Sequence, residues 1–72
     1  MAKIYQLMID REQISDLYYD KHDAKNNALQ ACIETMETVE IWEAEEIDGI
    51  PYDMLDWSMI GSIRYDVEEK EE

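Results

Sequence analysis

Acidic side chains dominate the groups in this sequence that could do chemistry. The 72 residues include 19 Asp and Glu but only six Lys and Arg, so the formal net charge is −13. Residues 1–33 carry a net charge of −1, and residues 34–72 carry −12. Like charges on a small folded body repel one another. The concentration of charge in the second half therefore predicts a surface that meets something basic.

The residues that could support nucleophilic catalysis are few and poorly spaced. His22 and Cys32 are ten residues apart, which on a helix is about 15 Å and too far for a Cys–His pair. The serines lack the context of a nucleophile elbow. Gly49 and Gly61 are the only glycines, so no phosphate-binding loop can be built. We therefore expect a protein that is not an enzyme.

A dedicated metal site is not expected, although carboxylates are calcium ligands. An EF-hand loop with Gly49 at its sixth position would begin at Ala44 and end at Leu55, and neither residue supplies the required carboxylate. Direct nucleic-acid binding is not expected, because the net charge is negative and phosphate neutralisation needs Lys and Arg. We therefore expect no metal, no cofactor and no bound nucleic acid.

The predicted partner-binding residues are acids of the second half together with one tryptophan. On a strand, alternate residues project from one face about 6.8 Å apart. Glu43 with Glu45, and Glu40 with Glu46, would then present regularly spaced carboxylates, as a nucleic-acid backbone presents regularly spaced negative charge. The full predicted set is Glu37, Glu40, Trp42, Glu43, Glu45, Glu46, Asp48, Asp53, Asp56, Asp66, Glu68 and Glu69.

Aromatic residues accompany these acids. Tyr and Trp are of the types enriched at interface hot spots, and the second half contains Trp42, Tyr52, Trp57 and Tyr65. The pattern leaves open whether the two tryptophans belong to the core or to an interface.

The elements that must position these side chains form a small α+β domain of order β-β-α-β-β, with one helix packed on a mostly antiparallel sheet. Alternating apolar residues predict strands over residues 3–9, 14–19, 38–47 and 59–67. The second strand has a helical turn as its alternative, because Ile14, Leu17 and Tyr18 also fit helical spacing. The last strand would turn Gly61, Ile63, Tyr65 and Val67 inward.

The helix is predicted from an N-cap at Asp23 to about Met36. Its apolar stripe would consist of Ala24, Ala28, Leu29, Cys32, Ile33 and Met36. Turns are expected at residues 10–13 and at Asp48–Gly49, and Pro51 could open a short helical turn.

The chain is expected to form one domain over residues 1–67, followed by a disordered acidic tail over residues 68–72. Its single cysteine excludes an internal disulfide and suits a reducing cytoplasm. No segment has the length of a membrane span. Because small domains often need a supplement to their core, a homodimer is one expectation.

In size, charge and architecture the chain resembles the small acidic DNA-mimic inhibitors made by bacteriophages. The resemblance is carried by residues 34–48 and by the Glu-rich tail. It implies a domain that covers the basic DNA-binding surface of a host protein in the bacterial cytoplasm, and an inhibitor of the histone-like nucleoid protein HU is the nearest type. The alternative is an adaptor that binds RNA polymerase, or a CRISPR or restriction effector, without DNA mimicry.

Overall fold

The computed structural model of the protein describes residues 2–65. Its regular elements are β1 (Lys3–Ile9), β2 (Glu12–Gln13), α1 (Lys21–Thr35), β3 (Val39–Glu45) and β4 (Ser58–Ile63). The strands form one antiparallel sheet in the order β2-β1-β3-β4, and the helix packs on one face of it. The predicted α+β class is therefore confirmed. The predicted acidic tail and the candidates Asp66, Glu68 and Glu69 lie outside the described residues.

A two-residue turn joins β1 to β2. Ile9 pairs with Glu12, and the intervening Asp10 and Arg11 both have positive φ, at 52° and 69°. Positive φ at both central positions is typical of a type I′ turn, whose twist matches that of the flanking strands. The predicted turn over residues 10–13 was too long, because β2 already begins at Glu12.

The chain after β2 follows the edge of β1 irregularly. Tyr18 exchanges two backbone hydrogen bonds with Tyr5, each of 2.9 Å. Between this pair and β2, the Leu7 N–H donates to the hydroxyl of Ser15, at 3.1 Å, rather than to a backbone carbonyl. A regular strand over residues 14–19 was therefore wrong, since a side chain replaces one bond of the backbone ladder.

Helix α1 begins earlier than the sequence predicted. The carboxylate of Asp20 accepts a hydrogen bond from the backbone N–H of His22 at 3.2 Å, and Asp20 itself has extended backbone angles. These are the properties of an N-cap, so the assignment of the cap to Asp23 was wrong. The pairing of Tyr18 with the sheet edge fixes the exit point of the chain and allows the helix to start at Lys21.

The buried stripe of α1 is narrower than predicted and consists of small residues. Three residues spaced four apart are buried: Ala24, Ala28 and Cys32. Small side chains allow the helix to lie close to the sheet. The larger apolar residues then fall on the flank of the helix and are 51%, 59% and 66% exposed: Leu29, Ile33 and Met36. Their assignment to the buried stripe was wrong.

Each face of the sheet has its own core. The helix face buries Tyr5, Leu7, Val39 and Ile41 against the small residues of α1. The opposite face, called here the open face, is only partly covered. Its smaller cluster consists of Ile4, Ala44 and Leu55, with Leu17 and Trp57 packed against it. The loop between β3 and β4, including a short 3₁₀ turn at Tyr52–Met54, therefore takes the place of a second helix layer.

Strand β4 is the edge strand beside β3 and contains a bulge. Gly61 pairs with Ile41 and Met59 pairs with Trp42, so Ile60 is an extra residue. Gly61 and Ile63 face the helix as predicted, because their partners Ile41 and Val39 belong to the helix-face core. The regular strand ends at Ile63 instead of continuing to residue 67, and β3 is likewise shorter than the predicted 38–47.

Candidate partner-binding surface

Five of the predicted acids lie together where β3 leaves the sheet. Glu43, Glu45 and Asp56 line one shallow concavity, and Glu46 and Asp48 line a second. Ile47 contributes to both concavities, so the two adjoin. We call these five residues the acidic end. The predicted spacing holds for Glu43 and Glu45, which pair with Tyr5 and Lys3 of β1 and share the helix face.

The acidic end is almost unneutralised. Its Glu43 carboxylate lies 3.5 Å from the ammonium group of Lys3, and this is the single ion pair within residues 2–65. Those residues include fourteen acidic and five basic side chains. The pKa of Tyr5 is raised mainly by burial and then by the neighbouring Glu43, and Asp20 raises it further. The start of the helix therefore contributes further negative charge near Glu43.

Tyr52 links the loop between β3 and β4 to the acidic end. Its hydroxyl donates a hydrogen bond to the Glu46 carboxylate at 3.2 Å. The pKa of Tyr52 is raised to about 12, mainly by the hydroxyl of Tyr19 and then by Glu46. The hydrogen bond therefore connects the 3₁₀ turn of the loop to the Glu46 carboxylate.

The other described candidates lie elsewhere. Glu40 is on the open face with Trp42, Glu37 precedes β3 at the far end of the sheet, and Asp53 lines a cavity on the open face. Glu46 lies six positions after Glu40, or about 20 Å along an extended chain. The predicted regular spacing along one strand therefore applies to Glu43 and Glu45, but not to Glu46, which follows the last residue of β3.

A groove on the open face is the feature that sequence reasoning missed. Two adjoining cavities of about 600 and 450 Å³ share Gln6, Met8, Arg11 and Trp57 as lining residues. We call this the open-face groove and define it by six residues: Gln6, Met8, Arg11, Trp42, Tyr52 and Trp57. The alternation of Ile4, Gln6 and Met8 was the available signal, since one helix can cover only one face of the sheet.

Both tryptophans are half-buried in this groove and are held by hydrogen bonds. The indole N–H of Trp57 donates to the carbonyl oxygen of Tyr52 at 2.7 Å. That of Trp42 donates to the Glu40 carboxylate at 3.0 Å. Each indole N–H therefore has its partner within the protein, and both side chains line the groove. The tryptophans thus border both the minor core and a concave surface.

Metal-binding and nucleophilic groups are dispersed in the described part of the chain. Within residues 2–65, no three His, Cys, Asp or Glu side chains are placed to hold a metal ion. His22 is exposed in the first turn of α1, whereas Cys32 is buried in the core. Over the same residues, no helix is both long enough and apolar enough to cross a membrane.

No protein-family model matches the chain, and no curated protein or solved structure matches it significantly. Its function is therefore inferred from the chemistry of its own surface.

Proposed function

We propose that the protein is a DNA mimic that binds and blocks the basic DNA-binding surface of a host protein, with nucleoid protein HU as the nearest type. The observation that carries the proposal is the acidic end, where five carboxylates lie together and only Glu43 has an ion-pair partner within residues 2–65. A partner rich in Lys and Arg would supply the missing positive charge.

The fold supports this role because it presents the carboxylates from a rigid frame. Glu43 and Glu45 lie on a strand that is paired on both sides, and the Tyr52 hydroxyl holds Glu46. Ordered charges require little additional ordering when a partner binds. Complementary potential also accelerates association and makes binding sensitive to salt.

The second candidate is an adaptor that binds a host machine, such as RNA polymerase or a CRISPR or restriction effector, without imitating DNA. The open-face groove favours this role, because Trp42 and Trp57 both line a concave surface. Aromatic residues in such pockets are frequent hot spots.

Competition at HU distinguishes the two candidates. Labelled duplex DNA is bound to HU, the protein is added, and the displaced DNA is measured at several salt concentrations. The test variant neutralises part of the acidic end through Glu45→Gln, Asp48→Asn and Asp56→Asn. Its matched control removes three charges elsewhere through Glu12→Gln, Asp16→Asn and Glu34→Gln.

DNA mimicry predicts that the native protein displaces DNA. The acidic-end variant should bind at least roughly tenfold more weakly and with a smaller salt slope, because the contribution of each contacting charge is local and screened. The control should bind almost as well as the native protein. Equal losses of binding in both variants would show that the net charge, and not the acidic end, determines binding. A complex that forms while HU keeps its DNA would favour the adaptor.

A further inference from the structure

Gln6 places its side-chain amide in the floor of the open-face groove. The residue is only 9% exposed, and its side chain makes no hydrogen bond within residues 2–65. It lines both cavities of the groove. Buried polar groups in proteins are nearly always paired, so an unpaired one calls for an explanation. A bound polar group entering the groove would supply the partner.

The surroundings of Gln6 define which group fits. Trp42 lies directly opposite Gln6 across the β1–β3 pair, and Trp57 lines the same cavities. Glu40 lines one cavity and Asp53 the other. The groove therefore combines aromatic rings, an amide oxygen and two carboxylates, which are together suited to a planar cation.

We propose that the open-face groove binds the guanidinium group of an arginine side chain from the basic partner. The source of this arginine rests on the proposed function, whereas the groove chemistry stands on its own. A guanidinium ion stacks on indole faces through cation–π attraction. Its five N–H donors can be accepted by the Gln6 oxygen, which both cavities share, and by the carboxylate that lines each cavity, Asp53 in one and Glu40 in the other.

Arg11 allows the charge of the bound group to be tested. Among residues 2–65 it is the one basic residue that lines the groove, and a bound cation would be repelled by it. An anionic occupant would need Arg11 and would be repelled by Glu40 and Asp53. Removal of Arg11 therefore has opposite consequences for the two kinds of ligand.

Tryptophan fluorescence measures the binding directly, because the chain contains two tryptophans and both line the groove. The intact protein is titrated with three short Gly-Ser peptides that carry one arginine, one lysine or one citrulline. The arginine peptide should bind at least about fivefold more tightly than the citrulline peptide, which keeps the shape but loses the charge. Lysine should bind more weakly than arginine, since it lacks the planar donors. Equal binding of arginine and citrulline, or of arginine and lysine, would overturn the proposal.

Matched variants locate the site. Asp53→Asn should weaken the arginine peptide about threefold or more, whereas Asp56→Asn, three residues further on and in the acidic end, should leave it unchanged. Arg11→Gln should strengthen binding of the arginine peptide. Weaker binding after loss of Arg11, or equal effects of the two Asp variants, would refute an arginine site in the groove.

The two proposals fail separately. If the protein displaces DNA from HU but does not bind the arginine peptide, the groove assignment is wrong and DNA mimicry stands. If the arginine peptide binds with the predicted variant effects but HU keeps its DNA, the groove assignment stands and DNA mimicry is wrong.

Discussion

Trp42 and Glu40 form one unit on the open face, because the indole N–H donates to the carboxylate at 3.0 Å. The pair places a carboxylate beside an aromatic ring of the open-face groove, although the sequence presents the two as separate features. Glu40 is thereby oriented by a ring that borders the groove. A basic side chain entering there would meet an ordered carboxylate and an aromatic face together.

The two tryptophans should contribute differently to stability. Trp57 packs against the cluster of Ile4, Ala44 and Leu55, whereas Trp42 does not belong to either buried cluster. Trp57→Ala should therefore lower the free energy of unfolding by about 2–4 kcal/mol, and Trp42→Ala by less than about 1.5 kcal/mol. Urea denaturation of both variants measures the difference. A larger loss for Trp42 would contradict this division between core and surface.

The helix N-terminus should depend on Asp20 and not on Asp23. The Asp20 carboxylate caps the helix by accepting from the His22 N–H, and loss of such a cap costs about 1 kcal/mol. Asp20→Ala should therefore lower the free energy of unfolding by about that amount. Asp23→Ala removes a first-turn acid and should cost only a few tenths of a kcal/mol. Thermal unfolding of the two variants provides the comparison, and equal losses would argue against Asp20 as the cap.

The turn between β1 and β2 should be stabilised by glycine at position 11. Arg11 adopts φ of 69°, a left-handed conformation that costs an L-residue about 1 kcal/mol. Arg11→Gly creates Asp-Gly, a favoured type I′ sequence. We expect the free energy of unfolding to rise by about 0.5–1 kcal/mol in chemical denaturation. Arg11→Gln serves as the control, because it removes the charge without relieving the backbone and should leave stability nearly unchanged.

The parts of this fold that follow a simple period were predictable, and the parts set by individual side chains were not. Alternation located β1 and most of β3, and helical spacing located the body of α1. The edge segment depends on the Ser15 hydroxyl, which replaces a backbone acceptor for Leu7. No periodicity encodes such a bond.

The candidate site was predictable in composition but only partly in arrangement. Glu43 and Glu45 share a face because alternation along a strand is local. The proximity of Asp56 to them depends on how the loop from residue 46 to 57 folds back, which is a tertiary property. The groove arises because that loop covers only part of the open face. Only the folded structure shows that the Gln6 amide has no hydrogen-bond partner within residues 2–65.

Tyr52 should ionise later than an ordinary tyrosine. The Tyr19 hydroxyl and the Glu46 carboxylate raise its pKa to about 12. A raised pKa means that folding favours the neutral phenol, so this contribution to stability is complete below pH 10 and is lost as the pH rises towards 12. Ultraviolet absorbance of tyrosinate should show late ionisation of both Tyr5 and Tyr52, because both have raised pKa values, and Tyr52→Phe should remove the Tyr52 step. Glu46→Gln should shift the step to lower pH, and Glu45→Gln should not.

Lys3 should weaken partner binding in the native protein, because it neutralises Glu43 within the acidic end. If binding depends on the local density of carboxylates, Lys3→Gln should strengthen binding to HU roughly two- to fivefold at low salt, as expected for one surface charge. Lys25→Gln changes the net charge equally but lies on the exposed side of α1. It should have a smaller effect, and added salt should reduce the difference between the variants. Equal gains from the two variants in a salt titration would show that net charge, and not the acidic end, determines binding.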